Sequence, residues 1–339
     1  MTARRICFDR ILPRDQRRFQ RTRTDQAGRV RAIAPRHSVW VNGSRIRIRF
    51  EEGDSDVVNV VQRVAVRWTD HANLQFEFTD DPRAEIRITF DEDDGAWSYI
   101  GTDNLDIPLH AATLNLGWVD EGVILHEFGH MVGLGHEHQS PHGGIEWDEA
   151  AVIADLSGRP NYWDVDTIRH NVLRKYSVDQ IHGTEFDPDS IMLYEFPPEW
   201  TRNRPEGTHE NDDLSAMDRA FVRSGQMYPG RPDPDARSVF LAMGSSAESA
   251  IEAREEEALY AFEVKKAGRH FVGTEGGLGL VLALFGPGQP TRLVARDDDG
   301  GSGLNARVVA YLEPGKYYAQ VRRYDPESSG EYRVGVREL

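Results

Sequence analysis

Three short segments near the start of the chain alternate apolar and polar residues. Ile46, Ile48 and Phe50 interleave with Arg45, Arg47 and Arg49; Leu74, Phe76 and Phe78 repeat the pattern, as do Ile86, Ile88 and Phe90. Successive side chains of a strand point to opposite faces, so period two predicts three strands, each with one buried face. Between the first two, Val57, Val61, Val64 and Trp68 recur at helical spacing behind Asp54, Ser55 and Asp56, residue types that accept from the open amides of a helix start. Strand–helix–strand–strand with the helix packed on the sheet predicts an α/β layer. A fourth strand is expected over 113–116 and helices over 149–156 and 165–176. A last helix is expected from Ala216, where Ser215 and Asp218 stand three apart as a capping box with Asp in place of Glu, ending near Tyr228.

Beyond Pro229 the texture changes. Residues 229–235, rich in Pro, Gly and Asp, cannot continue a helix. Then Tyr260/Phe262/Val264, Val308/Ala310/Leu312, Tyr317/Ala319/Val321 and Tyr332/Val334/Val336 alternate between glycine-bearing turns, the pattern of a β-sandwich with no helix of any length. The expected organisation is a basic segment over 1–38, an α+β domain with a mixed sheet and helices over 39–229, a linker over 230–237 and an all-β sandwich over 238–339.

Composition narrows the partners. With 339 residues, 39% hydrophobic and 28% charged, the chain can form two globular cores. Its longest apolar stretch, 278–285, is far short of the ~20 residues that cross a bilayer, so no membrane span is expected. A net charge of −16 argues against nucleic acid. Arg14, Arg17, Arg18, Arg21, Arg23, Arg29 and Arg31 make the N-terminal arm basic, which reads as a solvated tail or a pro-segment. The single cysteine, Cys7, excludes an intramolecular disulfide, and no apolar run follows the first arginines, so no Sec-type leader is expected. A monomer is expected.

The decisive stretch runs His126-Glu127-Phe128-Gly129-His130-Met131-Val132-Gly133-Leu134-Gly135-His136. Residues four apart on a helix share a face, so His126 and His130 can present two imidazoles to one metal. Gly133 can adopt a positive φ that turns the chain and brings His136 in as a third ligand. Three neutral imidazoles leave a fourth tetrahedral position open, the arrangement of a catalytic zinc. Glu127, beside the first ligand, is placed to take a proton from a water that zinc acidifies. Glu146 is the alternative third ligand, behind a break at Pro141, Gly143 and Gly144.

The stretch matches the zinc signature of metzincin metalloproteases, and two features resemble astacin-like enzymes of bacterial type. Glu137 directly follows the third histidine, and Ser190-Ile191-Met192-Leu193-Tyr194 is similar to the Met-turn. The resemblance, over 38–229, implies a zinc endopeptidase acting on protein or peptide substrates. It implies that Met192 is an apolar floor under the zinc, that Tyr194 donates to the tetrahedral oxyanion, and that 113–117 is the sheet edge that pairs with extended substrate. The sequence departs from astacins after Glu137, where His138-Gln139-Ser140-Pro141-His142 replaces an Arg/Asp cluster, and at Leu193. Residues 238–339 resemble the bacterial pre-peptidase C-terminal domain at Ala267–Phe271 and Leu312–Tyr318, which implies a role in secretion or a surface or polymer ligand. The family implies action outside the cell.

Other groups receive plainer readings. Ile6-Cys7-Phe8-Asp9 does not match the motif by which matrixins hold a latent zinc through cysteine. Asp91-Glu92-Asp93-Asp94 and Asp297-Asp298-Asp299 are clustered carboxylates that suit calcium but lack the full ligand spacing of a known loop; acidic turns are the preferred reading and calcium the unsupported alternative. His138 and His142 read as loop residues.

Overall fold

The structure is a computed structural model. It describes residues 39–339 apart from 142, 159–161, 176–185, 225–226, 229, 231–237, 252–256, 299 and 325–327, and apart from the side chain of residue 170. The basic segment with Cys7, His142, Tyr176 and most of the expected linker lie outside the described residues.

The alternating segments form the expected strands, β1 (Arg45–Phe50), β2 (Gln75–Phe78) and β3 (Ile86–Thr89), with α1 (Ser55–Ala65) between the first two. The Asp54 side chain accepts from the Asp56 amide and caps α1, whose Val61, Val64 and Ala65 are buried, and a short 3₁₀ turn carries the chain on to Trp68. Two strands complete this sheet, β4 (Ala96–Ser98) and β5 (Leu114–Leu116), in the order β2-β1-β3-β5-β4. β1, β2, β3 and β5 pair parallel, whereas β4 runs antiparallel to β5.

That order corrects the expectation for 113–117. β5 is enclosed by β3 and β4, and the sheet's edge on that side is Ala96–Ser98, with β2 at the other. Three residues, Ala-Trp-Ser, are too few to show period two, and the pairing that makes them a strand comes from residues about 20 positions away, so alternation could not reveal it.

The helices follow: α2 (Glu121–Met131), α3 (Glu149–Leu156), α4 (Val165–Ile168) and α5 (Ala216–Val222). α4 passes into a π-turn at Arg169–Leu173, so the helical path ends short of Tyr176. The capping box at Ser215 and Asp218 is present, with the Ser215 side chain accepting from the Asp218 amide and the Asp218 side chain from the Ser215 amide. α5 stops at Val222, earlier than expected, because Tyr228 leaves the helical path to bury its ring.

From Val239 onward every described element is a strand: β6 (Val239–Phe240), β7 (Ser246–Ile251), β8 (Glu257–Val264), β9 (Gly268–Gly276), β10 (Leu280–Phe285), β11 (Leu293–Asp297), β12 (Arg307–Leu312), β13 (Gly315–Arg323) and β14 (Gly330–Glu338). They form two sheets, ordered β11-β10-β13-β8-β6 and β12-β9-β14-β7, over one apolar core. The uninterrupted apolar run is β10, buried at every position.

The two parts meet along a seam. Val41 is buried, and Leu105 partly so, against Leu259, Ala261, Ala283, Phe285 and Tyr318 of the sandwich. The Arg322 guanidinium donates to the Val39 carbonyl at 2.8 Å, and Thr291 Oγ1 donates to the Arg45 carbonyl at 3.2 Å. Burial pushes the Arg322 pKa down, and Glu257, 3.3 Å away, opposes that shift.

Candidate metal centre and catalytic cleft

α2 starts at Asp120, whose carboxylate accepts from the Val123 amide, and is buried continuously from Ile124 to Met131. A helix so enclosed needs partners for its last carbonyls. Trp40 Nε1 donates to the Met131 carbonyl at 2.8 Å, and the Tyr228 hydroxyl donates to the Val132 carbonyl at 2.6 Å. Gly133 then takes φ +106°, a left-handed conformation, and its amide bonds the His130 carbonyl. This is the turn expected of that glycine, and it returns His136 towards the helix.

His126, His130 and His136 are buried, and their ligand atoms lie within 4.8 Å of one another. His126 Nδ1 is 2.7 Å from the Ile191 carbonyl and His130 Nδ1 is 2.8 Å from the Leu134 carbonyl. A carbonyl only accepts, so Nδ1 carries the proton in both rings and each Nε2 keeps its lone pair for a metal. His130 Nε2 and His136 Nε2 stand 3.1 Å apart. Ligand nitrogens on a tetrahedral zinc lie about 3.4 Å apart for bonds of 2.0–2.1 Å, so the three-imidazole donor set suits zinc and the His130–His136 spacing is close to that value. Glu146, the alternative ligand, is exposed and outside this cluster.

Met192 lies under the helix. A Cβ on Gly129 would come within 2.3 Å of Met192 Sδ and 3.1 Å of the Trp68 ring, so only glycine lets the thioether approach α2 at this point. Replacing Gly129 by Ala is expected to lower stability by about 1–3 kcal/mol through overpacking, read from denaturant unfolding of the zinc-loaded protein. A stability equal to the parent's would show that the Met192 side chain moves aside freely.

The turn bearing Met192 is fixed from α5. Ser190 Oγ donates to Asp218 Oδ1 at 2.8 Å, and the Ile191 amide donates to Asp218 Oδ2 at 2.9 Å. The carbonyl of that same Ile191 orients His126. Sequence reasoning saw Asp218 only as a helix cap. Burial pushes its pKa up against these hydrogen bonds. Burial also pushes the Glu137 carboxyl up to about 8, although its Oε1 accepts from the Asp187 amide; the Asp218 and Asp187 carboxylates add to the rise.

Tyr194 is buried among rings. Its centroid is 4.4 Å from His136, 5.1 Å from His126, 5.2 Å from His138 and 5.7 Å from Phe196, and its hydroxyl meets His136 Nε2. His138 is not the loop residue expected. It sits on a 3₁₀ turn, Glu137–Gln139, fully buried, with Nε2 2.9 Å from the Asn171 carbonyl and its ring 5.1 Å from His136. Trp147, Phe196 and Trp200 extend this wall, with Trp147 and Phe196 centroids 4.8 Å apart and Phe196 and Trp200 5.9 Å apart. Glu127 is buried one residue beyond His126. Ala96 of the edge strand belongs to the same apolar cluster as Leu193 and Tyr194, which places that edge beside the site.

Residues 32–198 match the peptidase family described as Astacin. The structure of myroilysin is 35% identical to this chain, covers 58% of it and 98% of that chain, and superposes with a TM-score of 0.55. The chain belongs to the astacin family of peptidases. The family is zinc-dependent, in keeping with the histidine cluster. A curated astacin relative, zinc metalloproteinase nas-26 of Caenorhabditis elegans, is 28% identical over 162 residues, which is 45% of this chain and 36% of the relative. The chain therefore spans about a third of the length of the curated relative it matches. The pre-peptidase C-terminal domain of a collagenase from Bacillus anthracis is 21% identical, over 32% of this chain and 98% of that one, with a TM-score of 0.27. The sandwich itself rests on its own strand pairing.

Proposed function

We propose that this astacin-family chain is a zinc-dependent endopeptidase that hydrolyses peptide bonds in extended protein or peptide substrates. The observation that carries this reading is the convergence of three buried imidazoles, two of them with Nδ1 committed to a carbonyl, next to a buried glutamate. His126, His130 and His136 would hold the zinc, which when bound would supply Lewis acidity for the scissile carbonyl and the attacking water. Glu127 takes the proton from that water and passes it to the leaving amine. Tyr194 donates its hydroxyl to the oxyanion as charge develops. The β4 edge, Ala96–Ser98, pairs with the substrate backbone as an added strand, the role the sequence had suggested for 113–117.

The catalytic unit is assigned to 39–229 and the sandwich to 238–339, and the resemblance to secreted peptidases supports action outside the cell. No helix among the described residues is long and apolar enough to cross a membrane. Metal removal tests the reading. Chelation is expected to reduce casein cleavage to background and added Zn²⁺ to restore it. Cleavage that persists in fully demetallated protein would refute it.

A further inference from the structure

The catalytic role assigned to Tyr194 requires a fixed phenol, and the backbone on either side of Glu195 is held by one residue far from the zinc motif. Thr208 Oγ1 donates to the Tyr194 carbonyl at 2.5 Å and accepts from the Phe196 amide at 2.6 Å. The Thr208 amide returns a third bond to the Phe196 carbonyl at 3.0 Å. Thr208 is buried. A single hydroxyl thus satisfies the carbonyl before Glu195 and the amide after it, and closes a stitch across 14 residues. Sheet and helix hydrogen bonds do not restrain this segment, which lies in no regular element.

The preceding residue makes the stitch possible. Gly207 has φ +74°, and a Cβ there would come within 2.1 Å of the Phe196 carbonyl oxygen and 3.0 Å of the Pro197 carbonyl carbon. Only glycine lets the two chain segments approach so closely at this conformation. The chain continues to Thr208, whose three bonds all fall on Tyr194 and Phe196. Both residues present rings to the site. Phe196 meets Tyr194 edge-on at 5.7 Å and His138 edge-on at 5.0 Å. Holding Phe196 therefore also holds the wall against which the phenol rests.

We infer that Thr208 is a positioning residue for the oxyanion donor: its hydroxyl clamps the backbone on both sides of Glu195 and thereby aims Tyr194. The inference rests on the role given to Tyr194 under the proposed function. Valine keeps the volume and shape of Thr208 but removes the hydroxyl, leaving the Tyr194 carbonyl and the Phe196 amide without this partner. Serine keeps the hydroxyl. A phenol displaced by a fraction of an ångström loses much of its transition-state contact while substrate binding is retained.

The test compares zinc-loaded Thr208→Val, Thr208→Ser, Tyr194→Phe and the Thr208→Val/Tyr194→Phe double variant on one peptide substrate. Zinc content and amide exchange of the 194–196 segment are measured alongside. Thr208→Val is expected to lower kcat about tenfold or more, with KM within about twofold and one zinc retained. Exchange at 194–196 is expected to quicken, and Thr208→Ser to restore both rate and protection. In the Tyr194→Phe background the valine is expected to add less than about a twofold loss, because the two residues act through one group. If Tyr194→Phe is slow but Thr208→Val turns over at the parental rate, or if the two losses multiply, the inference is overturned and the reading of Tyr194 stands. If Tyr194→Phe is itself as fast as the parent, the role of Tyr194 falls and this inference falls with it.

Discussion

Glu127→Gln is expected to lower kcat/KM for peptide hydrolysis by about 10²–10⁴-fold while leaving zinc bound. Gln has nearly the volume of Glu, so the packing of a fully buried position on α2 is kept. What disappears is the carboxylate proposed to accept a proton from water and later to protonate the leaving amine. The three imidazoles of the proposed zinc site keep their own supports, the Ile191 and Leu134 carbonyls and the Gly133 turn, none of which involves residue 127. The substitution should therefore separate chemistry from metal binding. A loss of zinc with the loss of rate would instead give Glu127 a structural part in the site.

Removing residues 238–339 is expected to destabilise the remaining chain by about 3 kcal/mol, because the truncation exposes Val41 and Leu105, each worth roughly 1.5–3 kcal/mol when buried in full. It also takes Arg322 from the Val39 carbonyl and Thr291 from the Arg45 carbonyl. These contacts fall at the entry to β1, the strand between β2 and β3. For a domain of about 150–250 residues such a loss corresponds to a drop of about 6–12 °C in Tm, measured by calorimetry at matched zinc loading. An unchanged Tm would show that the seam contributes nothing and that the sandwich is carried as a separate body.

Much of this molecule can be read from local pattern. β1, β2, β3, α1 and four of the nine described sandwich strands, β8, β12, β13 and β14, show in alternation or helical spacing, because apolar side chains recur on the face each turns to its core. The candidate zinc ligands are legible for a related reason: His126 and His130 are one helical turn apart, and Gly133 supplies the reversal that recruits His136. Contacts made far along the chain stay hidden. The edge strand Ala96–Ser98 is defined only by its pairing with β5. His138 looks like any polar loop residue until Trp147, Phe196 and Tyr194 enclose it. Asp218 announces itself as a helix cap, yet the same carboxylate holds Ser190 and Ile191. Thr208 carries no local signal, since its partners lie 12 and 14 residues upstream.

Those hidden contacts share a logic. The ligands lie on a helix and the turn that follows it, but the groups around them are fixed from elsewhere: His126 through Ile191 by Asp218, the end of α2 by Trp40 and Tyr228, and Tyr194 by Thr208. Such supports hold reacting groups within the fraction of an ångström that catalysis demands.

The most direct test is casein hydrolysis by the purified zinc-loaded chain beside its Glu127→Gln variant, with bound zinc quantified in both samples. Cleavage by the parent is expected, with a rate at least about a hundredfold lower for the variant at equal zinc content. Equal rates at equal zinc would contradict the proposed mechanism, because the catalytic base would then lie somewhere other than Glu127.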